Sequence, residues 1–247
     1  MRGVVSVTAS ANVKALAFDV FGTVVDWRGG IAAEAARVAA ARGVDGDWNG
    51  FALAWRAGYA PAMQRVRNGQ LPWKTIDQLH RMNLDAILDA YGLGGLDEAA
   101  RRELNRAWHR LPPWPDSVAG LTRLRQRFVI TTLSNGNFAL LTHMAKRAGL
   151  PWDCIISAEL FNHYKPDPET YLGAARLLGI EPCELMLVAA HASDLRAARD
   201  QGCRTAYVPR PQEFGEHQPA EAYDPDEFDL VAGDFLDLAD QLVQKIG

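Results

Sequence analysis

From Ser117 to Val208 short apolar runs alternate with helix-length segments, and no other feature constrains the fold as tightly. Helical patterns over Ser117–Gln126, Phe138–Ala148, Glu169–Leu178 and Ser193–Gln201 separate strand-like runs at Phe128–Leu133, Cys154–Ser157, Leu185–Ala190 and Thr205–Val208. Strands joined by helices of this length form parallel βαβ units, and runs so apolar suit strands covered on both faces. A further run, Ala15–Phe18, ends at Asp19 and the Gly22 turn, and reads as a buried parallel strand of the same sheet. A last helix is expected over Asp234–Ile246.

The first strand stands far from its partners. After Gly29-Gly30 the periodicity is helical from Ile31 to about Arg110. One helix is expected over Asp47–Val66, with Phe51, Trp55, Tyr59 and Met63 on one apolar face, and others over Thr75–Tyr91 and Asp97–Trp108. Leu111-Pro112-Pro113-Trp114-Pro115 forbids helix and marks the return of the chain. The expected architecture is α/β: a doubly wound parallel sheet core of residues 1–28 and 113–247, and an inserted all-helical cap domain of residues 29–112. Met1–Asn12 reads as a loose leader, and acidic Gln212–Asp229 as a surface loop.

The 247 residues, 48% hydrophobic and 23% charged, suffice for a sizeable core and exclude disorder as the dominant state. A net charge of -4 leaves no basic footprint, so nucleic acid is not an expected partner. No apolar stretch reaches membrane-spanning length, so no membrane association is expected. Cys154, Cys183 and Cys203 are an odd, scattered set, which argues against disulfides or a zinc site and for a reducing, cytoplasmic setting.

In open α/β sheets ligands bind beyond the carboxyl ends of the strands. Asp19, Ser134-Asn135, Lys165 in Tyr164-Lys165-Pro166-Asp167-Pro168, and Asp194 after His191 all fall just past such ends. Asp19 can attack as a nucleophile or simply cap its turn. Ser134, with the Asn135-Gly136-Asn137 backbone, can cradle an anion or start a helix. Lys165 is either a turn lysine or the cation that keeps Asp19 ionised. Asp194 can pair with Lys165, bind a metal, or complement its helix dipole.

Asp19 with Gly22-Thr23, Ser134 after a strand, Lys165 in YKPDP, and Asp194 resemble, in order and spacing, the four motifs of the haloacid dehalogenase superfamily. The resemblance covers nearly the whole chain and implies a Rossmann-like core beneath a helical cap. Phosphatases of that superfamily carry Asp-x-Asp, whose second Asp protonates the leaving oxygen; Phe21 stands in that place here. Phenylalanine cannot donate a proton, whereas a halide departs unaided. The chain thus resembles the L-2-haloacid dehalogenase (type II) branch, which implies hydrolysis of short 2-haloacids to 2-hydroxy acids through an ester of Asp19.

The same resemblance implies roles for further residues. Arg56 and Asn135 would face the departing halide ion, Ser134 would hold the substrate carboxylate, and Tyr171 matches the family's tyrosine. Arg56 also reads as an ordinary surface arginine, and Tyr171 as core. Motif four departs from the family's Ser-Ser-Asn-x-x-Asp, reading Ala189-Ala190-His191-Ala192-Ser193-Asp194. His191 can act there as a base or donor to water, or pack as a satisfied core residue. No metal and no other cofactor are called for, because Lys165 supplies the positive charge. Members of the branch are often dimers, so the resemblance makes a homodimer one option, and the residues themselves leave the oligomeric state open. Two alternatives stay open: a Mg-dependent phosphatase using Asp19 and Asp194, and a non-catalytic small-anion or protein-binding member.

Overall fold

The computed structural model describes residues 12–215 and 221–244. All but the last residue of the Met1–Asn12 segment, and the end of the Asp234–Ile246 helix, lie outside the described residues. Strands β1 (Ala15–Phe18), β2 (Val129–Ser134), β3 (Cys154–Ser157), β4 (Leu185–Ala189), β5 (Arg204–Tyr207) and β6 (Leu230–Val231) form one sheet in the order β3-β2-β1-β4-β5-β6. Every pairing in it is parallel. Helices α1 (Trp27–Ala40), α2 (Trp48–Ala57), α3 (Tyr59–Arg67), α4 (Ile76–Ile87) and α5 (Glu98–Asn105) lie between β1 and β2. Helices α6 (Ser117–Leu124), α7 (Phe138–Ala148), α8 (Pro168–Leu178), α9 (Ala192–Asp200) and α10 (Phe235–Gln244) complete the core.

β1 and β4 are buried along their whole lengths, the signature of central strands covered on both faces. On one face Leu16 and Phe18 pack with Leu121, Leu124, Phe235 and Leu238. On the other, Ala15 and Ala17 meet Tyr171, Ala174, Leu195 and Ala198. The sheet is therefore doubly wound, with an all-helical cap inserted after its first strand. Phe18 pairs with both Thr132 and Val188, so Asp19 emerges at the middle of the sheet between the ends of β2 and β4.

Four of the five inserted helices begin at a side-chain cap, α3 being the exception. Asp47 and Asp97 accept from the N–H groups of Gly50 and Ala100, and Thr75 forms a capping box with Gln78. The expected single helix over Asp47–Val66 is two, broken at Gly58. Pro61 explains the break: it has no N–H for the Ala57 carbonyl, and its ring crowds that carbonyl. The expected helix over Thr75–Tyr91 stops at Ile87 and ends in a 3-10 turn, Asp89–Tyr91, which Gly92 closes at φ 69°. That expected over Asp97–Trp108 changes to a 3-10 helix at Arg106.

The proline-rich segment does return the chain to the first strand's end. Trp114 N–H donates to the Val24 carbonyl (3.0 Å), and its indole N–H to the Gly22 carbonyl (2.8 Å). One strand was missed and one expectation needs correction. β6 escaped notice because two residues carry no period. Gln212–Asp229 is not wholly a surface loop: Glu213 is buried, and Phe228 packs against Tyr207. Cys154, Cys183 and Cys203 are unpaired. Among the described residues no helix is long and apolar enough to cross a membrane.

Candidate active site

Asp19 is 7% exposed, and a carboxylate so buried is costly unless its charge is met. Lys165 Nζ donates to its Oδ1 (2.9 Å), the Thr23 hydroxyl donates to Oδ2 (2.7 Å), and His191 Nδ1 lies 3.2 Å from Oδ2. Burial pushes the Asp19 carboxyl up, but the Lys165 ammonium and the His191 contact prevail and hold it well below the usual carboxylate range. Thr23 is itself fixed, because its hydroxyl accepts from the Ala190 N–H (2.9 Å).

The ammonium of Lys165 is shared. It also donates to Asp194 Oδ2 (2.5 Å), while the Tyr171 hydroxyl donates to Asp194 Oδ1 (2.6 Å). Burial would lower the Lys165 pKa, yet the two carboxylates hold it above its ordinary value. The turn carrying Lys165 is tied to the end of β2: its N–H donates to Asn135 Oδ1 (2.6 Å), and Asn135 Nδ2 donates back to its carbonyl (3.3 Å). From the cap, Arg67 Nη2 donates to the carbonyls of Lys165 (2.9 Å) and Tyr164 (3.1 Å).

His191 stands at the N-terminus of α9 with Nε2 2.9 Å from Glu213 Oε2. Burial pulls its pKa down, but hydrogen bonds and charge from Asp19 and Glu213 raise it to about 10. The ring is thus an imidazolium held between two carboxylates at neutral pH.

Above this floor lies a cavity of about 340 Å³ roofed by the cap. Arg56 enters it from the end of α2, its guanidinium carbon 3.9 Å from the Tyr59 ring centre, 5.5 Å from Trp27 and 5.9 Å from Phe21. Its Nη1 is buried without a hydrogen-bond partner among the described residues. His80, fully buried and stacked on Trp108 at 4.0 Å, likewise has neither ring nitrogen paired. Burial and the Arg56 charge push its pKa well below the ordinary value, so it is neutral. An unpaired guanidinium N–H in an aromatic box is a seat for an anion.

Asp19, Phe21, Arg56, Asn135, Lys165, His191 and Asp194 all line the cavity. Ser134 and Tyr171 are not in that lining. The Ser134 hydroxyl turns back to accept from the Gly136 N–H (3.2 Å), and Tyr171 sits behind Asp194. Both are held by hydrogen bonds that shape neighbours of the cavity. Sequence reasoning gave no role to Met63, Arg67 or Ser193, which line the cavity, nor to Glu213 behind it; of the bulky Phe21, Trp55 and Tyr59, which point to a small pocket, Phe21 and Tyr59 line it, and Thr23 of the first motif braces Asp19. Met63 was findable, since it lies one helical turn after Tyr59 on the same apolar face. Glu213 was not, because it lies in a segment with no period.

Residues 13–202 match the haloacid dehalogenase-like hydrolase family. An (S)-2-haloacid dehalogenase of Xanthobacter autotrophicus is 32% identical over 127 residues, a match spanning 49% of this chain and 50% of that protein. The chain thus spans about half the length of that curated relative. The crystal structure of a defluorinating L-2-haloacid dehalogenase superposes with a TM-score of 0.91 at 46% identity, covering 96% of this chain and 98% of the other. The structure of an L-2-haloacid dehalogenase from Xanthobacter autotrophicus with chloropropionic acid covalently bound gives 0.77 at 25% identity, covering 95% and 100%. The chain belongs to the haloacid dehalogenase-like hydrolases, in their L-2-haloacid dehalogenase branch.

Proposed function

We propose that this protein hydrolyses short L-2-haloacids, haloacetates included, to 2-hydroxy acids. The observation that carries the reading is an ionised, buried Asp19 facing the partnerless Arg56 Nη1 across a cavity in which Phe21 replaces the acid that phosphatases need. Asp19 attacks the halogen-bearing carbon, forming an ester and expelling halide toward Arg56 and Asn135. Attack in line inverts that carbon. Water beside His191 and Asp194 then attacks the carboxyl carbon of Asp19 and frees the hydroxy acid. Lys165 serves both halves, keeping Asp19 anionic first and countering the oxyanion afterwards. Ser134 and Tyr171 act through the Asn135 turn and Asp194. No metal enters these steps.

The domain limits proposed with this reading are a core of 1–28 and 113–247 and a cap of 29–112. The α2–α3 break at Gly58, which brings Arg56 and Tyr59 together, supports a cap that completes the site. A cytoplasmic setting, supported by three unpaired cysteines, and a homodimer are part of the proposal. Exposed Leu160, Leu172 and Leu177 offer apolar surface for that contact.

Halide release from chloroacetate, fluoroacetate and both 2-chloropropionate enantiomers, without added metal, tests the activity. Release from the haloacetates and, of the two enantiomers, from L alone is expected, with ¹⁸O from labelled water appearing in Asp19 after a single turnover. Release of phosphate from p-nitrophenyl phosphate that depends on Mg²⁺, with no halide from any of the four substrates, would overturn it.

A further inference from the structure

The buried carboxylate of Glu213 has no part in the chemistry so far. It is 3% exposed, and its side chain meets two donors: the Trp27 indole N–H (2.9 Å to Oε1) and His191 Nε2 (3.1 and 2.9 Å to the two oxygens). The fold makes room for it deliberately. A Cβ on Gly22 would lie 2.1 Å from Glu213 Oε1, so the glycine after the nucleophile admits this carboxylate. Gly22 also sits at φ +86°, where a side chain is strained. The loop is fastened on both sides: Arg210 Nε donates to the Thr23 carbonyl (2.9 Å), and Arg28 Nε to the Glu213 carbonyl (3.2 Å). A buried acid is expensive, and one braced this thoroughly is placed for a partner.

Resting on the dehalogenase reading, we propose that Glu213 is the positioning residue of the ester-hydrolysis half of the reaction. It fixes the His191 ring so that Nδ1 faces the Asp19 carboxyl. In the resting enzyme both ring nitrogens carry protons, one toward Asp19 and one toward Glu213. Displacement breaks the carbon–halogen bond, sends its electron pair out with the halide, and removes the charge of Asp19. The Nδ1 proton, no longer held by a carboxylate, leaves to solvent as the one proton released per turnover. Glu213 keeps the Nε2–H, so the Nδ1 lone pair points at the ester. Water then bonds to Cγ of Asp19 and gives one proton to Nδ1. Its second proton passes to the departing alkoxide oxygen as the bond from Cγ to that oxygen breaks. Asp19 is again a carboxylate and His191 again an imidazolium. The charged groups facing His191 are Asp19 and Glu213, with Lys165, Asp194 and Arg56 around the same cavity.

Glu213→Gln keeps the shape and the acceptor for Trp27 but not the charge. Rapid-mix halide assays on the purified full chain should show a burst of one halide per enzyme at close to the wild-type rate. Steady turnover should then fall by about tenfold or more. Intact-protein mass spectrometry should catch Asp19 as its ester, and the ascending limb of kcat against pH should move to lower pH. Glu213→Asp should restore part of the turnover, and His191→Gln should give the same burst and stall. Steady turnover in Glu213→Gln within about twofold of wild type would overturn the proposal. So would equal loss of burst and turnover with Asp19 unmodified. Failure of the wild type to release halide would instead remove the dehalogenase reading beneath it.

Discussion

The floor and the roof of the cavity solve opposite problems. On the floor Asp194, Lys165, Asp19, His191 and Glu213 form an unbroken chain of opposite charges, each within 3.2 Å of the next. In the roof Arg56 and His80 sit among Phe21, Trp27, Tyr59 and Trp108, with nitrogens that none of the described residues satisfies. The floor is a network whose members stabilise one another and therefore the fold. The roof holds polar atoms at a cost to the fold, and that cost is recovered when an anion arrives. Substitutions on the floor should hence damage stability and activity together, and those in the roof should separate them.

Lys165→Met is expected to have the largest effect. It strands two buried carboxylates, and breaking a buried pair from one side costs about 3–5 kcal/mol. Thermal or urea unfolding should show that loss alongside abolished halide release. An unchanged Tm would break the comparison. Arg56→Met comes next, with halide release falling by about 100-fold while Tm holds or rises, because a partnerless buried N–H is removed. A Tm drop as deep as that of Lys165→Met would place Arg56 with the floor.

The pH dependence of folding has a smaller effect. His191 is raised from 6.5 to about 10 in the fold, so its stabilisation is complete below pH 6.5 and drains as pH rises toward 10. Tm measured across that window should slope downward, and His191→Gln should flatten the slope. The smallest expected change is His80→Phe, which replaces an unpaired neutral imidazole among aromatic rings. It should raise unfolding stability by about 1 kcal/mol. A fall of that size would show the imidazole has a partner in the folded protein.

Five of the six strands were legible because they carry apolar runs whose polar ends fall at one edge, and those ends brought Asp19, Lys165 and Asp194 forward as candidates. The helix break at Gly58 was legible in principle, from Pro61, but the apolar period running through it reads as one helix. Glu213 is another matter. Gly22, Trp27 and His191 give it its surroundings, and they come from a turn, the cap's first helix and the end of β4. No window of sequence contains that contact. Ser134 and Tyr171 show the converse: motif spacing brought them to the right neighbourhood, but the direction of a hydroxyl is decided by packing.

α3 joins the two halves of the cavity. Tyr59 at its start forms the roof, and Arg67 at its end grips the carbonyls of Tyr164 and Lys165 and the Asp167 carboxylate (2.8 Å). A lift of this helix wide enough to admit a substrate pulls on the turn that aims the Lys165 ammonium. The roof over the cavity and the aim of the Lys165 ammonium are thus tied together through one helix.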